Sequence, residues 1–373
     1  MKILIFSHEF PPQLGGAGVV AQEYATCLSS AGHDITVLTA LRENSSYSCG
    51  YKVHHVKTLN KLWFLSYRNA LNFEEYDLII LNDVGAAYTA GLFFNKSCLS
   101  KSIMLLHGSE PETIFLNPSS FRRLTFFKTV YKRALNNIAR IVAVSQFMKF
   151  KFLNYTKLDH LSQKIEVLPN FINHDVFYPK PDPTFRKTFG LPEDAFLLVT
   201  ASRVVLGKGY LEKISIFERL VSRADKNLYW MIAGDGSDLQ QIKNEVKARK
   251  FSDRVLFLGS MPRNELVRVY SNADLFWMLS NYEESLGLVY IEAQACGCPA
   301  LARNAAGSKE AILDGKTGYL VDSEDQVIDL FSSTDFLKFD KCNITNFAQS
   351  FHCRSLVGFI ERLLLSQNVG ARL

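Results

Sequence analysis

Glu284 and Glu292 stand with seven residues between them in "EESLGLVYIEAQACGCPALA" (283–302), a segment otherwise built for burial. A carboxylate offers acceptors on both oxygens, which suits a ligand rich in hydroxyls. Upstream, "ASRVVLGKGY" (201–210) carries Arg203 and Lys208 beside Gly207 and Gly209. A guanidinium and an ammonium in one glycine-bearing loop suit a diphosphate, as charge partners and as donors. In "LGLVYIEAQAC" a helix is expected to start near Ser285 or Leu286. That start would put Glu284 beside the free N–H groups of the first turn, with Glu292 about 12 Å further along. Such N–H groups bind phosphate, and Gly287 permits close backbone approach. A ligand with a sugar, a diphosphate and a ribose could span this array. The competing reading makes Glu284 a complement to the helix dipole and Glu292 a surface residue, although its neighbours Tyr290, Ile291, Ala293 and Ala295 argue against a solvated face.

Other chemistry-bearing residues are more ambiguous. His107 follows an apolar strand in "LLHGSE" (105–110), where a functional histidine and one satisfied by a turn are both reasonable. "PPQLGGAGVVA" (11–21) holds Gly15, Gly16 and Gly18 ahead of a helix. Residues 16–21 fit the G-x-G-x-x-A pattern of dinucleotide sites, but the preceding strand ends too early for that tight turn, and Glu43 comes too late to bind a ribose there. A glycine loop approaching a diphosphate or an acceptor fits better. Asn170 in "VLPNF" reads as a turn residue. No D-x-D triplet occurs, so no metal site and no cofactor is expected.

Short apolar strands alternate with amphipathic helices, which implies α/β architecture with parallel sheets. Strands are expected at 2–6, 34–38, 52–56, 78–81, 102–106, 141–144 and 165–168, then at 196–201, 228–233, 254–259, 274–279 and 299–302. The Pro-rich stretch 178–195 reads as a linker. The expectation is two doubly wound, Rossmann-like domains, 1–178 and 179–349, with the ligand in the cleft between them. A helix over 350–365 is placed to cross back onto the first domain.

A chain of 373 residues suits two such domains, and 47% hydrophobic with 21% charged residues describes a globular protein. Seven scattered cysteines form no disulfide framework and no zinc spacing, so a reducing, cytoplasmic setting is expected. No signal peptide and no membrane-length apolar run is evident. The charge is uneven. Residues 1–178 hold 18 Lys/Arg against 13 Asp/Glu, while 179–373 hold 24 of each.

Taken in order, these motifs resemble retaining glycosyltransferases of family 4, which have the GT-B fold: the glycine loop, the His after a mid-domain strand, "VLPN", Arg-x4-Lys-Gly, "AGDG", and E-x7-E leading into "EAQACGCPALA". The resemblance spans nearly the whole chain. It implies an acceptor-binding N-terminal domain and a nucleotide-sugar-binding C-terminal one. Glu284, with backbone from Ser285, Leu286, Gly287 and Leu288, would meet the donor sugar. Glu292 would hold the ribose, and Arg203 and Lys208 the diphosphate. Gly16 would approach the phosphates and acceptor, His107 the transfer site, and the backbone near Gly259 in "FLGSMP" the base. Catalysis would rest on His107, Glu284, Arg203 and Lys208. Transfer with retention is ascribed in this family to front-face substitution without a protein nucleophile. Leu286 stands where Phe is frequent, and Gly307-Ser308 where Gly-Gly is frequent.

The implied reaction moves a sugar from a UDP- or GDP-sugar to a saccharide or polyprenyl-linked acceptor in surface polysaccharide assembly of the O-antigen or capsule type. A GT-B sugar-nucleotide epimerase and a non-catalytic partner subunit are the alternatives. In "FRRLTFFKTVYKRAL" (121–135), Phe121, Leu124, Phe127, Tyr131 and Leu135 fall on one helical face, with Phe126 opposite among Arg122 and Arg133. This suits a peripheral contact with an anionic membrane, the alternative being a solvated basic face. No nucleic-acid motif accompanies it, so nucleic acid is not an expected partner.

Overall fold

The computed structural model describes residues 1–11, 16–41, 50–223, 226–333 and 336–370. Gly15 and Glu43 lie outside them. The chain forms two compact units, Met1–Asn170 with Cys353–Leu373, and Phe171–His352. The division therefore falls earlier than the Pro-rich stretch. That stretch is strapped to the second unit instead: Lys180 N–H donates to Ser271 Oγ at 2.9 Å, and Arg268 Nε donates to Asp182 Oδ2 at 2.6 Å. Phe177 and Phe185 are fully buried.

The first unit holds seven parallel strands: β1 (Lys2–Phe6), β2 (Asp34–Ala40), β3 (Lys52–Val56), β4 (Leu78–Leu81), β5 (Ser102–Leu106), β6 (Arg140–Ala143) and β7 (Ile165–Val167). Their order is β3-β2-β1-β4-β5-β6-β7. The second holds β8 (Ala195–Ala201), β9 (Asn227–Ala233), β10 (Val255–Gly259), β11 (Leu275–Met278), β12 (Ala300–Arg303) and β13 (Gly318–Val321), ordered β10-β9-β8-β11-β12-β13. Helices cover both faces of such sheets, so strands read as unbroken apolar runs. The runs "LIIL" of β4 and "LFWM" of β11 are completely buried. In each unit the chain winds outward one way from the first strand and then returns to its other side. The switch points are therefore β1/β4 and β8/β11, where α/β sheets bind ligands at the strands' carboxyl ends.

One helix expectation changes. The single helix over 121–135 is two, Ser120–Leu124 and Phe127–Asn137, broken at Phe126 with φ of 50°. The break lets Phe127 stack on Tyr88 at 4.0 Å while the Tyr88 hydroxyl donates to the Thr125 carbonyl at 2.9 Å. It also turns Leu124 outward, 79% exposed rather than on the core stripe. The expected terminal helix is present as Arg354–Gly370, and a separate helix, Lys341–Gln349, precedes it. Arg354–Gly370 belongs to the first unit, beside the helix Gly16–Ser30, where Cys27 Sγ lies 3.5 Å from the Cys353 carbonyl. No helix among the described residues is long and apolar enough to cross a membrane.

Candidate functional site

In the second unit, the loops leaving β8 and β11 are locked together by glycine. Gly209 has φ of 70°, and a Cβ there would lie 1.9 Å from the Leu279 carbonyl oxygen, so only glycine lets the loop after β8 rest on the end of β11. Asn281 N–H donates to the Gly207 carbonyl at 2.8 Å across the same seam. The seam carries Lys208 to Glu284, Nζ to Oε1 at 2.6 Å, with 14% and 17% of the two side chains exposed. Arg203, in the same loop, is exposed; its carbonyl accepts from Val205 N–H and Ser202 Oγ, but its guanidinium makes no hydrogen bond or ion pair to a described residue. Cation and carboxylate are thus positioned in advance, and a further cation is available for an anion.

Glu284 is fixed from the other side by the loop after β12. Gly307 N–H donates to the Glu284 carbonyl at 2.8 Å, and a Cβ on Gly307 would lie 2.2 Å from the Ser285 carbonyl oxygen. This contact keeps 284–287 out of the helix, which runs Leu288–Ala295 rather than starting at Ser285 or Leu286. Gly287 precedes it with φ of 88°, and Leu286 is buried. The expected 12 Å separation of the acids along one helix axis therefore does not apply. Ser285, Leu286 and Gly287 form a loop, and the first helical N–H groups are those of Leu288 and Val289. Gly259 ends β10 with φ of 71°, and a Cβ there would meet nothing within 4 Å, so the surface over it is open.

Glu292 lies on the helix Leu288–Ala295 and is only 6% exposed, which removes the surface reading. Its Oε1 accepts from Arg263 at 2.8 Å. Arg263 opens the helix Arg263–Asn272, and its guanidinium lies 5.1 Å from the centre of the Phe177 ring. Sequence reasoning stopped at Pro262 and missed Arg263, because a lone arginine opening a helix looks like an ordinary surface cation. Beside the pair, burial first and the Glu292 charge second push the Tyr270 phenol well up.

His107 and Gly16 belong to the first unit, with a different set of neighbours. His107 Nε2 faces the Asn82 carbonyl at 2.6 Å, so that nitrogen carries the proton. Buried Asn82 donates to Ser7 Oγ and to the Ala17 carbonyl, both at 2.9 Å, and so ties His107 to the helix that Gly16 opens. Gly16 is exposed, and a Cβ there would meet nothing within 4 Å. Asp83 caps the helix Val84–Phe93 through Ala86 N–H at 2.8 Å and also accepts from His8 and Glu9 N–H at 2.5 and 3.2 Å. Glu110 accepts from His107 and Gly108 N–H, both at 2.7 Å. These carboxylates shape a cavity of about 420 Å³ at the β1/β4 switch, lined by His8, Trp63, Asp83, His107 and Arg122 among others. His8 and Trp63 form its aromatic wall, with ring centres 4.7 Å apart. None of His8, Trp63, Asn82 and Asp83 was singled out from sequence. The "ND" directly after β4 was the available signal for the last two.

Arg122 and Arg133, expected on an exposed basic face, both donate to backbone carbonyls. Arg122 reaches Thr113 at 2.6 Å and lies 5.4 Å from the Phe127 ring centre, and Arg133 reaches Phe94 at 2.9 Å. Burial lowers the Arg122 pKa. The exposed apolar residues here are Leu124 and Phe126. Among the described residues, no group of three or more His, Cys, Asp or Glu is arranged to hold a metal.

The model for "Glycosyl transferases group 1" matches residues 181–333, and that for "Glycosyltransferase Family 4" matches 14–176. N-acetyl-alpha-D-glucosaminyl L-malate synthase of Bacillus anthracis is 27% identical over 347 residues, covering 84% of this chain and 82% of its own. A GDP-mannose-dependent alpha-(1-6)-phosphatidylinositol monomannoside mannosyltransferase of Mycolicibacterium smegmatis is 26% identical, covering 87% and 86%. Anabaena HepE, solved with UDP and glucose, superposes with a TM-score of 0.76 at 19% identity over 98% of this chain and 100% of that one. With both halves matched and two parallel-sheet units of this topology, the chain belongs to the family 4, group 1 glycosyltransferases of GT-B fold.

Proposed function

We propose that the protein transfers a sugar, with retention and without a metal, from a UDP- or GDP-sugar to a hydroxyl of a lipid-linked saccharide in surface polysaccharide assembly. The observation that carries the donor half is the Lys208–Glu284 pair at the β8/β11 switch, with the unpartnered Arg203 guanidinium in the same loop. Arg203 and Lys208 take the diphosphate and offset the charge that grows on it as the sugar leaves. Glu284, with the backbone of 285–288, takes sugar hydroxyls. Glu292 takes the ribose, and the open backbone at Gly259 meets the base. The acceptor oxygen attacks the anomeric carbon on the face the diphosphate leaves, and its proton passes to a phosphate oxygen of the departing nucleotide. His107 and Gly16 serve the acceptor side of the reaction, and no resident cofactor takes part.

The acceptor half rests on the first unit's cavity, whose aromatic wall and histidines suit a saccharide. Relatives named for malate and phosphatidylinositol acceptors favour one carrying a negative charge, which Arg122 at the cavity wall would meet. Exposed Leu124 and Phe126, beside exposed Arg123 and Lys128, suit an anionic bilayer at the peripheral location a polyprenyl carrier requires.

Thermal-shift titration with UDP-, GDP- and ADP-sugars tests the donor half, with Glu292→Ala as control. A shift with one base, lost in the variant, is expected, and no shift with any donor would overturn the reading. The anomeric configuration of the product, read by NMR, tests retention. Leu124→Ser with Phe126→Ser should lower binding to anionic vesicles, and unchanged binding would remove the membrane assignment.

A further inference from the structure

We infer that Arg263 is the positioning residue that makes Glu292 a ribose receptor. This rests on the reading of Glu292 as the ribose ligand and adds how the carboxylate is held. A carboxylate this buried is held in one orientation only with a partner. Arg263 supplies one by a single bond, to Oε1 at 2.8 Å. Oε2 has no hydrogen-bond partner among the described residues and is not enclosed, so one oxygen is committed and the other is presented.

The clamp is itself clamped. Pro262 fixes the backbone just before Arg263, and the buried Phe177 ring lies 5.1 Å beneath the guanidinium. Three segments meet there: the start of the helix Arg263–Asn272, the helix Leu288–Ala295, and the strand-free stretch that holds Phe177. The loop from Gly259 to Arg263 leaves the end of β10, so the residue that orients the ribose ligand is four residues beyond the open backbone assigned to the base. A merely structural pair would join the two helices equally well with both carboxylate oxygens engaged. Holding the acceptor oxygen in place before the ligand arrives removes the entropy of fixing it on binding. The effect belongs to nucleotide affinity and not to the chemical step, because ribose contacts persist unchanged from bound donor to transition state.

The test compares UDP, GDP and ADP with their 2′,3′-dideoxy counterparts by calorimetry on the full chain. For the base that binds, the wild type should prefer the ribonucleotide by roughly 10- to 100-fold, the worth of hydrogen bonds to a charged group. Glu292→Gln and Arg263→Ala should both reduce that preference to about twofold or less, with Arg263→Lys between, since an ammonium keeps the charge but not the planar fork. Each ratio compares two ligands on the same protein, so partial misfolding of a variant does not move it. Should Arg263→Ala fail to fold, Arg263→Lys decides: full preference overturns the inference, and reduced preference supports it. In transfer assays Arg263→Ala should raise the donor KM and spare kcat. A kcat loss with unchanged KM would also overturn the inference. If the wild type and Arg263→Ala prefer the ribonucleotide equally while Glu292→Gln does not, the ribose reading stands and the role of Arg263 falls. If the wild type shows no preference, or binds none of the three nucleotides, the ribose reading itself fails and the inference with it.

Discussion

Both units place a switch point beside their first strand, yet the charged groups there are used differently. At β8/β11 the carboxylates face cations across short distances, Lys208 to Glu284 and Arg263 to Glu292. At β1/β4 the carboxylates face the backbone instead. Asp83 takes three N–H groups and Glu110 takes two. The second unit therefore pairs its carboxylates with cations, while the first uses them to build the walls of a cavity lined by His8, Trp63 and His107. Under the proposed function, a fixed charge pattern would meet the donor's diphosphate and ribose, and a shaped pocket would meet the acceptor.

The comparison breaks most readily at Lys208. Lys208→Ala should cost transfer about 2–4 kcal/mol in kcat/KM, as for other preorganised electrostatic groups. In a double-mutant cycle with Glu284→Ala the losses should fall well short of additivity, because each residue is the other's partner. Additive losses would mean that the pair is not a unit. Asp83→Ala is the matching change in the first unit. It leaves three N–H groups without their acceptor, so unfolding in urea should become easier by about 2–3 kcal/mol. Donor binding, assigned to the second unit by the proposed function, should not move. A weakened donor titration in Asp83→Ala would erase the distinction between the units.

The difference also explains what could be read from the sequence. Buried parallel strands are bare apolar runs, so twelve of the thirteen were placed to within two residues at either end. β13, "GYLV", was missed because it is four residues long and begins with glycine. The residues proposed for the donor stood out because glycines at fixed spacing and paired charges leave a mark in residue type. The helix start at Leu288 was not legible, since it is set by Gly307 reaching Glu284 from a distant loop. Nor was the break at Phe126, a non-glycine residue held at positive φ by the packing of Phe127 on Tyr88. Arg122 looked like half of a basic face because sequence shows the charge and not the carbonyl it meets. The cavity of the first unit was hidden for the same reason. His8, Trp63 and Asp83 lie far apart in sequence and carry no shared spacing.

Two buried lysines sharpen the contrast on a smaller scale. In the first unit Lys151, 5% exposed, pairs with Glu112 at 2.5 Å. Breaking a buried pair leaves one charge without its partner, and Glu112 is one-third exposed, so Lys151→Met should destabilise by about 1–2 kcal/mol. A stabilised Lys151→Met would show that burying the ammonium costs more than its pairing with Glu112 returns.

In the second unit Lys213 is fully buried, with its Nζ 3.3 Å from Thr200 Oγ1 and 4.0 Å from the centre of the Tyr210 ring. Burial holds its pKa well below the ordinary 10.5, with the Lys208 charge adding to the depression. Lys213→Met should orphan nothing. Thr200 Oγ1 still accepts from Trp230 Nε1 at 3.1 Å and still donates to the Trp277 carbonyl at 2.8 Å. The thioether would meet the same aromatic faces that the amine meets now. Between the depressed native value and 10.5 the unfolded chain keeps a proton on Lys213 that the native core releases. Native stability therefore rises with pH from the depressed native pKa up to about 10.5, and Met removes that slope. The variant should be more stable than the wild type by about 1 kcal/mol near pH 7, with the gain shrinking as pH approaches 10. Urea unfolding at several pH values reads both numbers. A variant less stable at neutral pH would mean that the amine sits charged between its aromatic rings, and that the second unit holds a cation in its core as well as at its site.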